Sequence, residues 1–421
     1  MLESPRPLTR RELILTAGAT LLAPGYVNAA DAPETTKARL GFVALSDCAP
    51  LVIAKEKGYF EKYGMKDVEV LKQASWGASR DNLELGSEGG GIDGAHLLTP
   101  MAYLISNGAI TKGSRKIPMY ILARLNINGQ AISVSNKYKP LKLGLNSAPM
   151  KAVAEQAKAS GDPITVAQTF PGGTHWAWLR YWLAAGGINP DTDLKVVTVP
   201  PPQMVANMKT GVTDAFCVGE PWNQQLINQQ VGYTALTTGQ LWNNHPEKSL
   251  VVRAAYVDKY PKASKAILMA VQEAQLWADK AENKDELSRI VSSRQWINAP
   301  VADIVARYKG IFDFGDGRPI ERNSPHIMKF WANNASYPYP SHDLWFITED
   351  IRWGVLPTST DGKKLVAAVN RQDLWREAAK SIGQAGPKGN SRGVEKFFDG
   401  IKFDPANPEA YLKAVKIKKL V

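Results

Sequence analysis

Residues 165–199 read TVAQTFPGGTHWAWLRYWLAAGGINPDTDLKVVTV and carry one whole strand–helix–strand unit. Residues 165–170 are short, apolar and β-branched, which predicts a strand. Residues 175–185 are long and aromatic, and Gly186-Gly187 stop them as C-terminal cap residues, which predicts a helix. Residues 194–199 predict the next strand. The same rhythm runs on both sides. Strands are expected at 39–45, 67–72, 94–98, 120–125, 131–135 and 215–218, and helices at 49–63, 148–159 and 203–210. Alternation of this kind implies a mainly parallel sheet with helices on its faces, the α/β class. After about residue 250 the pattern turns helical. Residues 261–279 place Ala266, Ala270, Val271, Ala274 and Trp277 at spacings of three and four, the stripe of an amphipathic helix.

The chain has 421 residues, too many for one ordinary compact domain, so two α/β lobes, or one domain with a long extension, are expected. Residues 131–248 are assigned to one lobe, and residues 38–130 with 249–421 to the other. Two chain crossings then fall near 126–131 and 248–252. Residues 8–30, LTRRELILTAGATLLAPGYVNAA, precede both lobes. A pair of arginines, an apolar run and small residues follow the order of an export signal. Thr9-Arg10-Arg11 resembles the twin-arginine type, with Leu15 where such signals often carry lysine. Residues 1–30 are therefore expected to be a cleavable signal, and the mature protein to reside in the periplasm. No cysteine follows the apolar run, so a lipid anchor there is not expected.

Hydrophobic residues make up 44% and charged residues 22% of the chain, an ordinary globular balance. The net charge of +11 favours anionic ligands. The basic residues are dispersed without interleaved aromatics, so nucleic acid is not the expected partner. His96, His175, His245, His326 and His342 form no HxH or HxxxH spacing, and Cys48 and Cys217 lie far apart, so no metal site or cofactor is expected. The two cysteines are read as separate buried thiols. No Ser/His/Asp or Cys/His constellation with its supporting elements and no paired carboxylates stand out, so the chain is not read as an enzyme.

Phe170-Pro171-Gly172-Gly173-Thr174-His175 leaves a strand and opens a helix. Two glycines let backbone N–H groups turn outward, and a helix N-terminus adds partial positive charge, so the turn suits a small anion. Thr174 is read as the N-cap and His175 as a first-turn donor. Val218-Gly219-Glu220-Pro221-Trp222 leaves another strand, and in α/β sheets ligands meet the carboxyl ends of strands. Lys248, in Asn244-His245-Pro246-Glu247-Lys248, supplies a point charge. Trp76 offers a ring face, and Gln130 an amide. Each of these residues taken singly fits an ordinary core or surface role equally well.

Four long stretches occur in the same order as in a known family: QASWGASRDNLELGSEGGGIDGAHLLTPM (73–101), FPGGTHWAWLRYWLAAGGINP (170–190), VPPPQMVANMKTGVTDAFCVGEPWN (199–223) and TTGQLWNNHPEKSL (237–250). On them the chain resembles the nitrate/nitrite-binding proteins of ABC transporters, a family shared with bicarbonate-binding relatives. The resemblance implies a type II periplasmic-binding-protein-like fold, two α/β lobes with a ligand cleft between them. It implies that Trp76 lies against a planar ion, that Gln130 and His175 donate hydrogen bonds, that Gly219 offers backbone contact and that Lys248 carries the charge. Thr174 and Pro201 are neighbours of that set. The implied partners are nitrate or nitrite and an inner-membrane permease, with the receptor a monomer. A bicarbonate receptor, with Glu220 and Glu247 as acidic candidates for a metal beside the anion, and a nitrate-sensing regulatory protein are the alternatives.

Overall fold

The computed structural model describes residues 32–421; the expected signal at 1–30 lies outside them. Two five-stranded sheets form the two layers on which everything else packs. The first contains β1 (Lys37–Val43), β2 (Asp67–Gln73), β3 (Gly94–Leu98), β4 (Met119–Arg124) and β10 (Lys248–Arg253), in the order β2-β1-β3-β10-β4. The second contains β5 (Gln130–Ser135), β6 (Thr165–Gln168), β7 (Lys195–Thr198), β8 (Ala215–Gly219) and β9 (Gly232–Thr237), in the order β7-β6-β8-β5-β9. In each sheet four strands run in the same direction. One strand, β10 or β5, inserts antiparallel between two others.

The inserted strands are the ones that follow the chain crossings. β5 begins at Gln130 and β10 at Lys248, so each residue belongs to the sheet opposite the one its expected segment gave it. The reason is pairing: Gln130 is in register with Gly219 of β8, and Lys248 with Leu98 of β3. The crossings run side by side. Leu125 N–H donates to Lys248 O at 2.7 Å, Asn128 N–H to His245 O at 3.1 Å, and the Asn126 side chain accepts from Lys248 N–H at 3.1 Å. Gln275, buried on the helix Pro261–Asp279, caps the first crossing by donating to the carbonyls of Arg124 and Leu125.

Two local expectations change. The helix expected over 49–63 divides into Ala49–Glu56 and Tyr59–Lys62, because Gly58 adopts φ +69° between them. Thr174 is not the N-cap of the helix Thr174–Ala185. Gly173 holds that place, and the threonine hydroxyl is directed to Glu247 instead. Cys48 and Cys217 are free and buried, and burial pushes both thiols up.

The C-terminal region does not serve the first sheet alone. In the helix Pro340–Arg352 every residue after the proline is buried. Its Asp343 pairs with Arg124 of β4 and accepts from Asn370 at 2.7 Å. Its Trp345 stacks on Trp178 of the helix Thr174–Ala185, with centroids 4.9 Å apart and planes at 15°. Trp242, Phe397 and Tyr181 close the same aromatic cluster, and Tyr181 donates to Asp399 at 2.9 Å. One helix thus ties the inner faces of both layers. Truncating its central ring leaves a cavity that packed neighbours fill only partly. Trp345→Ala is predicted to cost about 3–5 kcal/mol in denaturant unfolding; a loss below about 1 kcal/mol would contradict this packing role.

Candidate functional site

Five residues of the first layer and six of the second or its crossing meet in one dry cluster. Asp47 lies in the turn Ser46–Cys48 that follows β1. Trp76 opens the helix Trp76–Leu85, whose N-cap Ser75 accepts from Ala78 N–H at 3.1 Å. His96 lies within β3 and Lys248 begins β10, with Glu247 just before it. From the other layer come Gln130 at the start of β5, Thr169 after β6, Thr174, His175 and Trp178 on their helix, and Gly219 at the end of β8. The ends of β1, β6 and β8 that contribute here are carboxyl ends, where open α/β sheets bind ligands.

Lys248 is the centre. Its ammonium Nζ stands 2.9 Å from Asp47 Oδ2, 3.0 Å from Glu247 Oε1 and 3.4 Å from Gln130 Oε1, and 5.7 Å from the centre of the Trp76 ring. Lys248, Asp47 and Glu247 are all 0% exposed. Burial alone would lower the Lys248 pKa, but the two carboxylates outweigh it and raise it, so the ammonium is retained. Burial pushes Asp47 up; Lys248 and His96 pull it further the other way and hold it well below the usual carboxylate range. Glu247 ends above its ordinary value. Burial dominates there, offset in part by Lys248 and by donors from Thr174 and Trp178, the latter at 2.8 Å.

The protons on the ring nitrogens follow from their partners. Gln130 Nε2 donates to Asp47 Oδ2 at 2.9 Å, so its Oε1 faces His175 Nε2 at 2.6 Å. A carbonyl oxygen accepts only, which puts the imidazole proton on Nε2. Nδ1 then accepts from the Thr169 hydroxyl at 2.6 Å. Burial and the nearby ammonium lower the His175 pKa well below the usual value, so the ring is a neutral donor. His96 donates through Nε2 to Asp47 Oδ1 at 2.7 Å. Two buried atoms of this cluster have no partner: Trp76 Nε1, a donor, and His96 Nδ1. A buried, unsatisfied indole N–H is costly unless something else takes its proton.

Of the residues expected at the site, Trp76, Gln130, Thr174, His175, Gly219 and Lys248 come together. A Cβ on Gly219 would lie 2.5 Å from Gln130 Oε1 and 3.4 Å from Asp47 Oδ2, so the glycine keeps this space open. Pro201 does not join them by any hydrogen bond. It is buried at the start of the turn Pro201–Gln203 and gives its carbonyl to Met204 N–H. Sequence reading missed Asp47, His96, Thr169 and Trp178. The available signal for Asp47 was its place just after the first strand, the position that drew notice at 218–222. Glu220 pairs instead with Arg307 at 3.3 Å, and Glu247 with Lys248, so both acids considered for a metal already hold a cation.

His245 and His342 flank the cluster as structural rings. His245 accepts the Thr238 hydroxyl at 2.8 Å and packs 4.4 Å from Trp178, and its pKa falls to about 3, chiefly through burial. His342 falls to about 4 through burial and Arg392. An unfolded histidine titrates near ~6.5. The stability each neutral ring contributes is therefore complete above that pH and is lost as pH falls towards the folded value. Proton NMR is predicted to show both rings unprotonated at about pH 5.5, whereas a midpoint near ~6.5 for either would contradict its burial.

Comparisons with known proteins agree with one another. The NMT1-like family matches residues 31–292. The nitrate/nitrite binding protein NrtA of Nostoc is 59% identical over 399 residues, covering 94% of this chain and 89% of that protein. The bicarbonate-binding protein CmpA of a Synechococcus strain is 42% identical over 448 residues, covering 98% of this chain and 99% of that protein. The crystal structure of the periplasmic nitrate-binding protein NrtA from Synechocystis superposes with a TM-score of 0.89 at 59% identity, over 92% of this chain and 100% of that one. The chain therefore has the periplasmic-binding-protein fold and belongs to the NMT1-like family, within the group formed by the nitrate/nitrite-binding solute receptors.

Proposed function

We propose that this protein is a periplasmic receptor that captures nitrate, and nitrite with it, and delivers the anion to an ABC importer. The observation that carries the reading is a convergence of donors between the layers: one retained ammonium, Lys248; two neutral side-chain donors, Gln130 and His175; and the unpartnered N–H of Trp76. A planar monovalent oxyanion offers an acceptor oxygen to donors of this kind. The 59% identity to NrtA supports the same ligand. Charge-assisted hydrogen bonds contribute roughly 1.5–3 kcal/mol each. Four or five of them at the upper end of that range give the about −8 kcal/mol of micromolar binding once ordering costs are subtracted. Export through the signal at 1–30, action as a monomer and docking on an inner-membrane permease belong to the same proposal. The site serves binding and release, so the protein is a receptor and not an enzyme.

One observation favours a second reading. Asp47, Glu247 and Gln130 Oε1 are acceptors, and bicarbonate, unlike nitrate, brings its own proton to donate. Titration calorimetry of the mature protein separates the two. Nitrate and nitrite are predicted to bind in the micromolar range and bicarbonate at least about tenfold more weakly, a gap of ~1.4 kcal/mol; tighter bicarbonate would overturn the nitrate assignment. Lys248→Glu is predicted to abolish nitrate binding. Gly219→Ala is predicted to weaken it by about tenfold or more, since the added methyl displaces the Gln130 amide from its partners; unchanged affinity in either variant would remove that residue from the site.

A further inference from the structure

The charge count at Lys248 leaves a problem that the receptor reading must solve. Two carboxylates lie within 3.0 Å of a single ammonium, and all three groups are sealed from water. With both acids ionised the cluster has an excess of one negative charge before any ligand arrives. A monovalent anion then makes the excess two. Two like charges about 4 Å apart repel by about 4 kcal/mol at an effective dielectric of 20, close to three decades of affinity. Buried charge without compensation is among the costliest features a protein carries.

On the reading that this site holds an oxyanion, we infer that anion capture takes up one proton from solvent, and that the Glu247 carboxylate carries it. The balance is simple: the proton binds a Glu247 carboxyl oxygen, the anion enters beside Lys248, and no other bond is made or broken. Afterwards the cluster again has an excess of one negative charge, as before, instead of two.

The surroundings select Glu247 over Asp47. Asp47 is held as an anion by Lys248 Nζ, Gln130 Nε2 and His96 Nε2, at 2.9, 2.9 and 2.7 Å. Glu247 receives one charged donor, Lys248, and two neutral ones, the Thr174 hydroxyl and the Trp178 indole. Its other titratable neighbours give it no positive charge: His175 Nε2 at 3.8 Å and His245 Nδ1 at 3.6 Å belong to neutral rings, and Cys217 on β8 is a buried thiol. Burial already raises its pKa. A protonated Glu247 gains an O–H donor, which a ligand made only of acceptor oxygens can use, whereas Thr174 can turn its hydroxyl to accept.

Calorimetric titration of the whole mature protein with nitrate, repeated in phosphate, HEPES and Tris, tests this. The dependence of the heat on buffer ionisation enthalpy gives the number of protons bound. As pH is raised through and above the usual carboxylate range this number is expected to rise towards one, and affinity to fall by up to about tenfold per pH unit on the alkaline side. Glu247→Gln, checked for folding by thermal melting, is expected to remove both effects. Buffer-independent heats and flat affinity in the wild type, or uptake that survives Glu247→Gln, would overturn the inference. The wild-type buffer series decides whether a proton is taken up even if a variant misfolds. Absence of nitrate heat at every pH would instead overturn the receptor reading on which the inference rests.

Discussion

An ammonium group sealed away from water between two carboxylates is the constraint around which this molecule is arranged. Lys248 is neutralised by Asp47 from one strand end and by Glu247 from its own crossing segment. Removing one partner from such a group costs roughly 3–5 kcal/mol, because the remaining charge stays buried without a mate. The arrangement is therefore weak as a source of stability and strong as a source of position. It fixes where a positive charge stands, and every neutral donor of the cluster is aimed relative to it.

The fold supplies that position through its crossings. Both inserted strands begin with a residue of the cluster, Gln130 in β5 and Lys248 in β10, so the backbone that joins the layers also delivers the donors. Hydrogen bonds between the crossings hold their relative height, and Gln275 caps the first from the long helix behind it. Further contacts join the layers beside the cluster: Ser46 N–H donates to Glu220 O at 2.7 Å and Trp222 Nε1 to Ala44 O at 3.0 Å. The helix Pro340–Arg352 grips both layers from the other side, through Asp343 on Arg124 and Trp345 on Trp178. The contacts that join the layers thus also hold the residues of the cluster in place.

Much of the fold was legible in the sequence because its signals are local. Alternation of short β-branched runs with helices ended by glycine marked nearly all the parallel strands, and the stripe from Ala266 to Ala274 marked the long helix to its ends. The antiparallel insertions were not legible, since nothing in a strand's own residues states which sheet it joins. The residues of the cluster divide the same way. His175 and Gly219 sit in motifs whose backbone geometry announces itself. Asp47 and Glu247 do not, because a carboxylate in a short turn reads as solvated until the tertiary structure seals it. The burial of the helix Pro340–Arg352, with Glu349 and Asp350 both inside, was hidden for the same reason: its polar composition suggests a surface.

A crystal structure of the mature protein grown with nitrate tests the central claim most directly. The account predicts the ion between the two sheets, with one oxygen about 3 Å from Lys248 Nζ and others within hydrogen-bonding reach of Gln130, His175 and the Trp76 indole. An ion bound elsewhere, or Lys248 still held by both carboxylates with the anion out of its reach, would contradict it.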